Sequence, residues 1–251
     1  MAKTPISADS HITEPPNCYI DHIDPSFRDR APHLVNDEKY GDVYVIEGME
    51  KTIPIGLVAA AGKDPRTLRM SGGKFDELHR SGWDGTLRAA DQDLDGICAE
   101  IIYPSVGMVL CNHPDFEYKQ ACMTAYNRWL QTYCEAAPNR LFGMAQLAMA
   151  SVEGGIAELR QAKEMGFRGV MMPGNPQHAD YDHADYDPFY EAAVDLGLPL
   201  SFHILTSNTD KIGAMRGPRI NGFSTIIRGC QDIIGMFIFG GVFQRHPDLK
   251  L

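Results

Sequence analysis

Apolar and polar positions alternate in short runs at the start of the chain and settle into a helix and strand beat from residue 84 onward. Ile6 and Ala8 take one parity of a short strand and Asp9 and His11 the other, because side chains two apart on a strand face the same way. The same alternation recurs over residues 198–205, with Leu200, Phe202 and Ile204 on one parity and Ser201 and His203 on the other. Between these stretches, Asp84 is placed to cap a helix bearing Leu87, Ala90 and Leu94 that Gly96 ends, and residues 97–103 read as the second strand. From about Asp115, the residues Tyr118, Ala121, Cys122, Ala125, Tyr126, Trp129 and Leu130 recur at three- and four-residue spacing, the core stripe of a long helix.

The beat continues. A strand is expected over 141–148, then a helix opened by Ser151 with Val152, Ile156 and Leu159 on one face, then a strand over 168–172 closed by Pro173 and Gly174. Asp187 reads as an N-cap with Pro188 at the first helical position, and that helix carries Phe189, Tyr190, Ala193 and Val194 up to Gly197. A last helix runs from about Ser224 to Phe243; its second half is apolar all round, which predicts burial against more than one neighbour, a second subunit or further chain. Residues 245–251 begin what reads as another strand. Strict alternation of strands and helices argues for a parallel α/β sheet, and in a barrel of such strands the functional groups gather at the strands' carboxyl ends.

Residues 15–82 break the pattern. They are rich in Pro, Asp and Gly, and within them 42–46 and 52–57 flank 47–51 as a small hairpin with a longer loop. An insertion directly after the first strand is a candidate lid over a barrel mouth, or an excursion without a role.

Composition narrows the function classes. The 251 residues carry a net charge of −10 and no basic run, which disfavours nucleic acid and anionic membrane as partners and leaves a small-molecule substrate as the default. Six cysteines without a C-x-x-C pair read as reduced, mostly buried thiols of a cytoplasmic protein. The first residues lack an apolar signal core, and the longest apolar tract, 233–243, is too short and glycine-containing to span a bilayer. The G-x-S-x-G elbow, the Walker A loop and the G-x-G-x-x-G fingerprint are absent.

The chemistry concentrates in Asp9, His11 and His203. A carboxylate and an imidazole on one face of a strand end form a ligand pair, and a second strand-end imidazole would complete a shell around one metal. The same residues also read as a turn in which Asp9 caps backbone N–H groups and His11 is solvated. Among the other histidines, His178 lies in a polar loop after the fourth strand and is the one placed to reach substrate, while His22, His33, His79, His113 and His183 read as solvated. His246, before a proline at a strand's amino end, reads as structural.

Several separated motifs stand in order: A-D-S-H in the first strand, I-Y-P-S after the second, A-Y-N-R-W-L, G-F-R-G-V-M-M-P, S-F-H after the fifth, and H-P-D-L-K-L. Together they resemble the amidohydrolase-2 group, the metal-dependent relatives of aminocarboxymuconate semialdehyde decarboxylase, over nearly all of the chain outside 15–82. The resemblance implies a (β/α)8 TIM barrel, incomplete here with about five to six βα units in one domain over 1–251, and a homodimer. It implies a divalent metal, zinc in the first place, held by Asp9, His11 and His203, with Asp9 a shorter-armed donor than the His or Glu usual at that position. Glu14 could substitute as a ligand or sit behind the ligands. The catalytic acid/base and a last Asp ligand are expected beyond Leu251, so the chain reads as C-terminally truncated. The activity implied is decarboxylation of a small aromatic or unsaturated carboxylic acid. Metal-dependent hydrolysis of an amide, ester or lactone is the alternative, and a non-catalytic fragment or pseudoenzyme is the rival from another class.

Overall fold

A computed structural model describes residues 4–57, 60–69, 71–207, 217–218 and 221–251. Strand β1 (Ile6–His11) leads into the 15–82 segment, which holds β2 (His33–Asp37), β3 (Gly41–Val45) and β4 (Ile53–Pro54) as an antiparallel sheet in the order β2-β3-β4. The β3–β4 hairpin matches the sequence pattern, whereas β2 is unforeseen: His33, Leu34, Val35, Asn36 and Asp37 show no strict alternation. The hairpin is tied to the exit of β1 by the Tyr44 hydroxyl, which donates to the carbonyls of Glu14 (2.8 Å) and Pro15 (2.7 Å). Residues 58–59 and 70 of the candidate lid lie outside the described residues.

Helix α1 (Gly85–Asp95) starts where the sequence indicates. Asp84 accepts the N–H groups of Thr86 and Leu87, and Gly96, at φ 70°, closes the helix in the left-handed conformation that glycine adopts without strain. Its buried face differs from the expected one. Leu87, Ala90 and Leu94 are exposed, and the side turned inward carries Gln92 and the largely covered Arg88. The inward face is polar because a charged residue, Glu100, waits in the next strand.

That strand, β5 (Ala99–Tyr103), pairs in parallel with β1. The register jumps from Ser7↔Glu100 to Ser10↔Ile102, so β1 spends three residues where β5 spends two, the signature of a bulge. Ile6, expected to be covered, is 59 % exposed ahead of the bulge, whereas Ser10, of the same parity beyond it, is buried. After the short α2 (Gly107–Leu110) comes α3 (Phe116–Glu135), whose Tyr118, Cys122, Ala125, Tyr126 and Leu130 are buried, as their spacing requires.

The expected strand over 141–148 is two strands. β6 (Leu141–Gly143) extends the first parallel sheet, in the order β1-β5-β6, and β7 (Ala145–Gln146) opens a second. Helix α4 (Val152–Glu164) is capped by Ser151, whose hydroxyl accepts the Gly154 N–H. It is followed by β8 (Val170–Met171), α5 (Asp187–Leu196) and β9 (Leu200–Ser201), and the second sheet runs β7-β8-β9, again parallel. Asp187 is the first helical residue of α5 and not its N-cap, which is Tyr186, so Pro188 sits one position further in than expected.

Helix α6 (Gly222–Phe239) ends four residues earlier than its apolar pattern indicates. Gly240 and Gly241, the latter at φ 72°, break it, and α7 (Val242–Arg245) follows. Phe237 is buried in a cluster of rings with Tyr181, Tyr190 and Phe202. Residues 245–251 form no strand, although the Leu200 N–H donates to the Lys250 carbonyl at 2.9 Å.

The described strands thus form one antiparallel and two parallel three-stranded sheets within an α/β fold, not a closed ring. Two compact units divide the chain, one of Met1–Gly107 with Gln120–Met144 and one of Met108–Lys119 with Ala145–Leu251. No helix among the described residues is long and apolar enough to cross a membrane.

Candidate metal centre

His11 is the last residue of β1, and its ring is oriented by the loop that follows β5. Nδ1 lies 2.8 Å from the carbonyl oxygen of Pro104. A carbonyl can only accept, so Nδ1 carries the proton and Nε2 the lone pair. That nitrogen faces Asp9, 3.4 Å from Oδ1, and both side chains are open to solvent in part. Two donors on one tetrahedral ion at about 2.0–2.2 Å would stand roughly 3.3–3.6 Å apart. A lone pair and a carboxylate oxygen at this separation repel unless a cation lies between them. A proton on Nε2 would make an ion pair, and a divalent metal would make two bonds. The donor chemistry therefore fits a metal.

The backbone of His11 is braced as well. Its carbonyl accepts from Arg88 Nη1 at 3.2 Å, and Arg88 is fixed to Glu100 through Nε–Oε2 (2.7 Å) and Nη2–Oε1 (2.9 Å). Gln92 Nε2 donates to Glu100 Oε2 at 2.7 Å and the Ser10 hydroxyl to Oε1 at 2.9 Å, so every oxygen of this nearly buried carboxylate is engaged. Burial raises the Glu100 carboxyl, but Arg88, Gln92 and Ser10 outweigh it and hold the group below the usual carboxylate range. Sequence reasoning missed this cluster. A glutamate inside the apolar run A-E-I-I-Y was the available signal, since a charge in a parallel strand needs a partner.

Glu14 is turned into the protein. Fully buried, its carboxylate accepts the N–H groups of Ser105 (3.0 Å) and Gly107 (2.9 Å) on Oε1 and of Val106 (3.0 Å) on Oε2. Burial pushes its pKa up, against these three backbone donors, which favour the charged form.

In the second unit, His203 is buried two residues beyond β9. Its Nδ1 lies 3.1 Å from the Ile204 carbonyl, which by the same argument leaves the lone pair on Nε2. The chain then turns sharply. Thr206 Oγ1 donates to the His203 carbonyl at 2.7 Å, Leu205 adopts φ 69°, and the Asn112 amide donates to the Leu205 carbonyl at 2.9 Å. This turn ends the strand parity before Ile204, which is partly exposed and not packed as the alternation suggests.

The remaining histidines divide by burial. His178 is exposed in the loop after β8. His113 is not solvated but 4 % exposed, packed on the Tyr118 ring with its Nδ1 accepting from the Asp115 N–H, because the residues just before α3 fold back under the helix. His246 lies 2.9 Å from Asp187 Oδ1 and against the Tyr190 ring.

A family model described as amidohydrolase matches residues 113–251, more than half of the chain. The chain belongs to the amidohydrolase family. Among curated proteins it is similar to the 2-amino-3-carboxymuconate-6-semialdehyde decarboxylase of Dictyostelium discoideum, at 26 % identity over 187 residues, 73 % of this chain and 51 % of the relative. The chain thus spans about half the length of that relative. Among solved structures, an amidohydrolase of Mycobacterium avium subsp. paratuberculosis shares the fold with a TM-score of 0.77 at 21 % identity, over 100 % of this chain and 71 % of the other. The 5-carboxyvanillate decarboxylase of Novosphingobium aromaticivorans, solved with bound manganese and 3-methoxy-4-hydroxy-5-nitrobenzoic acid, gives a TM-score of 0.61 at 22 % identity, over 98 % of this chain and 64 % of the other.

Proposed function

We propose that the protein is a metal-dependent carboxy-lyase acting on a small aromatic or unsaturated carboxylic acid, with Asp9, His11 and His203 as ligands of one divalent cation. The observation that carries this reading is the 3.4 Å approach of His11 Nε2 and Asp9 Oδ1, with the ring's other nitrogen committed to a backbone carbonyl. The decarboxylases among the chain's relatives support the reaction class, and the bound manganese of one of them supports the cofactor class.

A divalent cation at this position would act as a Lewis acid, drawing the substrate carboxylate into place and stabilising charge as CO2 leaves. The chain's own part is orientation. Pro104 and Arg88 hold the ring and backbone of His11, and the 203–206 turn positions His203. One carboxylate and two imidazoles suit zinc, our first assignment, and also admit manganese. The alternating parallel units are, in this reading, part of a (β/α)8 barrel with the ligands at strand ends. The exposed His178 is assigned to substrate contact.

Elemental analysis of the purified chain, with zinc and manganese titrations, tests the ligand set. In the full-length protein about one divalent ion per chain is expected, and His11→Ala or His203→Ala should each remove most of it. A wild-type chain that binds neither metal, or a His203→Ala variant that binds as well as wild type, overturns the site. CO2 release from hydroxybenzoic and unsaturated carboxylic acids tests the reaction. Hydrolysis of lactones, esters or amides in its place would support the second reading.

A further inference from the structure

Three consecutive backbone N–H groups, those of Ser105, Val106 and Gly107, converge on the two carboxylate oxygens of Glu14 at 2.9–3.0 Å. A run of amides turned inward in this way forms an anion-binding concavity, and here the anion is a side chain of the protein itself. The residue immediately before the run is Pro104, whose carbonyl oxygen meets His11 Nδ1. The same loop is tied to the residue after His11 by the Ser105 hydroxyl, which donates to the Ile12 carbonyl at 2.6 Å. Glu14 is three residues past His11, so one short segment carries both the ring and the clamp for the loop that orients the ring.

We propose that Glu14 is a positioning residue for His11: by clamping residues 105–107 it holds the Pro104 carbonyl against Nδ1 and fixes the tautomer that leaves the lone pair on Nε2. An imidazole whose Nδ1 is not engaged exchanges its proton between the two nitrogens, and the tautomer with hydrogen on Nε2 cannot ligate through that atom. Glutamine at position 14 would turn an N–H donor toward at least one of the three loop amides. The loop must then shift, and the Pro104 oxygen with it. Partners that orient a ligating histidine typically change metal affinity by about 10–100-fold when lost.

The metal consequence rests on the proposed ligand set, whereas the tautomer does not, so the two can be read separately. Imidazole 15N chemical shifts of His11 in the metal-free protein should report protonated Nδ1 and bare Nε2 in the wild type. In Glu14→Gln a second tautomer should appear, and zinc affinity, by chelator competition, should fall about 10–100-fold. Glu14→Asp keeps the charge on a shorter arm and gives the same readout should the glutamine variant not fold. Tyr44→Phe, which removes hydrogen bonds to the Glu14 and Pro15 carbonyls but leaves the carboxylate in place, should change neither tautomer nor affinity. The inference is overturned if the wild type shows the opposite tautomer, or if folded Glu14→Gln and Glu14→Asp keep the wild-type one. A tautomer change in a protein that binds no metal would uphold the positioning role and sink the metal site.

Discussion

Arg88 and Glu100 meet in a two-pronged ion pair, Nε to Oε2 at 2.7 Å and Nη2 to Oε1 at 2.9 Å, with side chains only 16 % and 10 % exposed. Planar forks of this kind match a carboxylate with little loss of freedom per bond. The pair joins α1 to β5, and through the third Arg88 nitrogen it reaches the His11 carbonyl. Removing one partner leaves the other charged and covered. Arg88→Met should therefore lower the unfolding free energy by about 3–5 kcal/mol, and Arg88→Met combined with Glu100→Met should recover a good part of that loss. Urea denaturation of Arg88→Met, Glu100→Met and the double variant measures it. A double variant as unstable as the sum of the singles would show that the pair is not coupled.

Glu100 and Glu14 should respond to pH with opposite sign. The Glu100 carboxyl is held below its ordinary value of 4.5, so its contribution to stability is present above that pH and is lost as the pH falls through the folded value. The Glu14 carboxyl is raised by burial, so its contribution is full below 4.5 and is lost as the pH climbs toward its folded value. Unfolding free energies of wild type, Glu100→Gln and Glu14→Gln from pH 3 to pH 8 test both. The gap between wild type and Glu100→Gln should narrow below about pH 4.5, and that between wild type and Glu14→Gln should narrow above it. Gaps that stay constant with pH would contradict the assigned directions.

What the sequence disclosed follows from which signals are local. The caps at Asp84 and Ser151, the glycine stop at Gly96 and the stripe on α3 are set by residues a few positions apart, and they are where the pattern puts them. The bulge in β1 is a relation between two strands ninety residues apart, and ahead of it Ile6 is exposed, which alternation alone cannot show. Asp9 and His11 stood out because two metal-binding residue types shared a strand face. The groups that orient them are less legible: Pro104 acts through a backbone carbonyl that every residue possesses, and for Glu14 the sequence left a ligand and a residue behind the ligands as alternatives, without the three amides that its carboxylate meets.

The cap of α1 supports the helix that carries Arg88 and Gln92. Asp84 Oδ1 accepts the Thr86 and Leu87 N–H groups at 3.1 and 3.2 Å, so Asp84→Ala should cost about 1 kcal/mol in urea denaturation. Leu94 offers the contrasting case on the same helix. Counted as core from its spacing, it is 85 % exposed, and Leu94→Lys should change stability by no more than about 0.5 kcal/mol. A loss of several kcal/mol from Leu94→Lys would mean that α1 is rotated from the orientation described.

Helix α6 presents a second surface whose consequences can be measured. Ile227, Ile234 and Ile238 recur at positions that bring them to one side of the helix, and they are 50, 50 and 54 % exposed, with Phe239 beside them at 90 %. Ile233 and Phe237, on the covered side, are buried. The sequence marks both sides as apolar, and the described structure covers one. Clustered apolar side chains of this size favour association with another apolar surface, because each buried methylene contributes about 0.8 kcal/mol. The chain should therefore self-associate as its concentration rises, with a sedimentation-equilibrium mass above that of the monomer. Ile234→Lys combined with Ile238→Lys should return it toward the monomer while costing no more than about 1 kcal/mol of urea stability at low concentration, since both side chains are half exposed there. A wild-type chain that stays monomeric at high concentration, or a double variant that associates unchanged, would remove α6 as the cause.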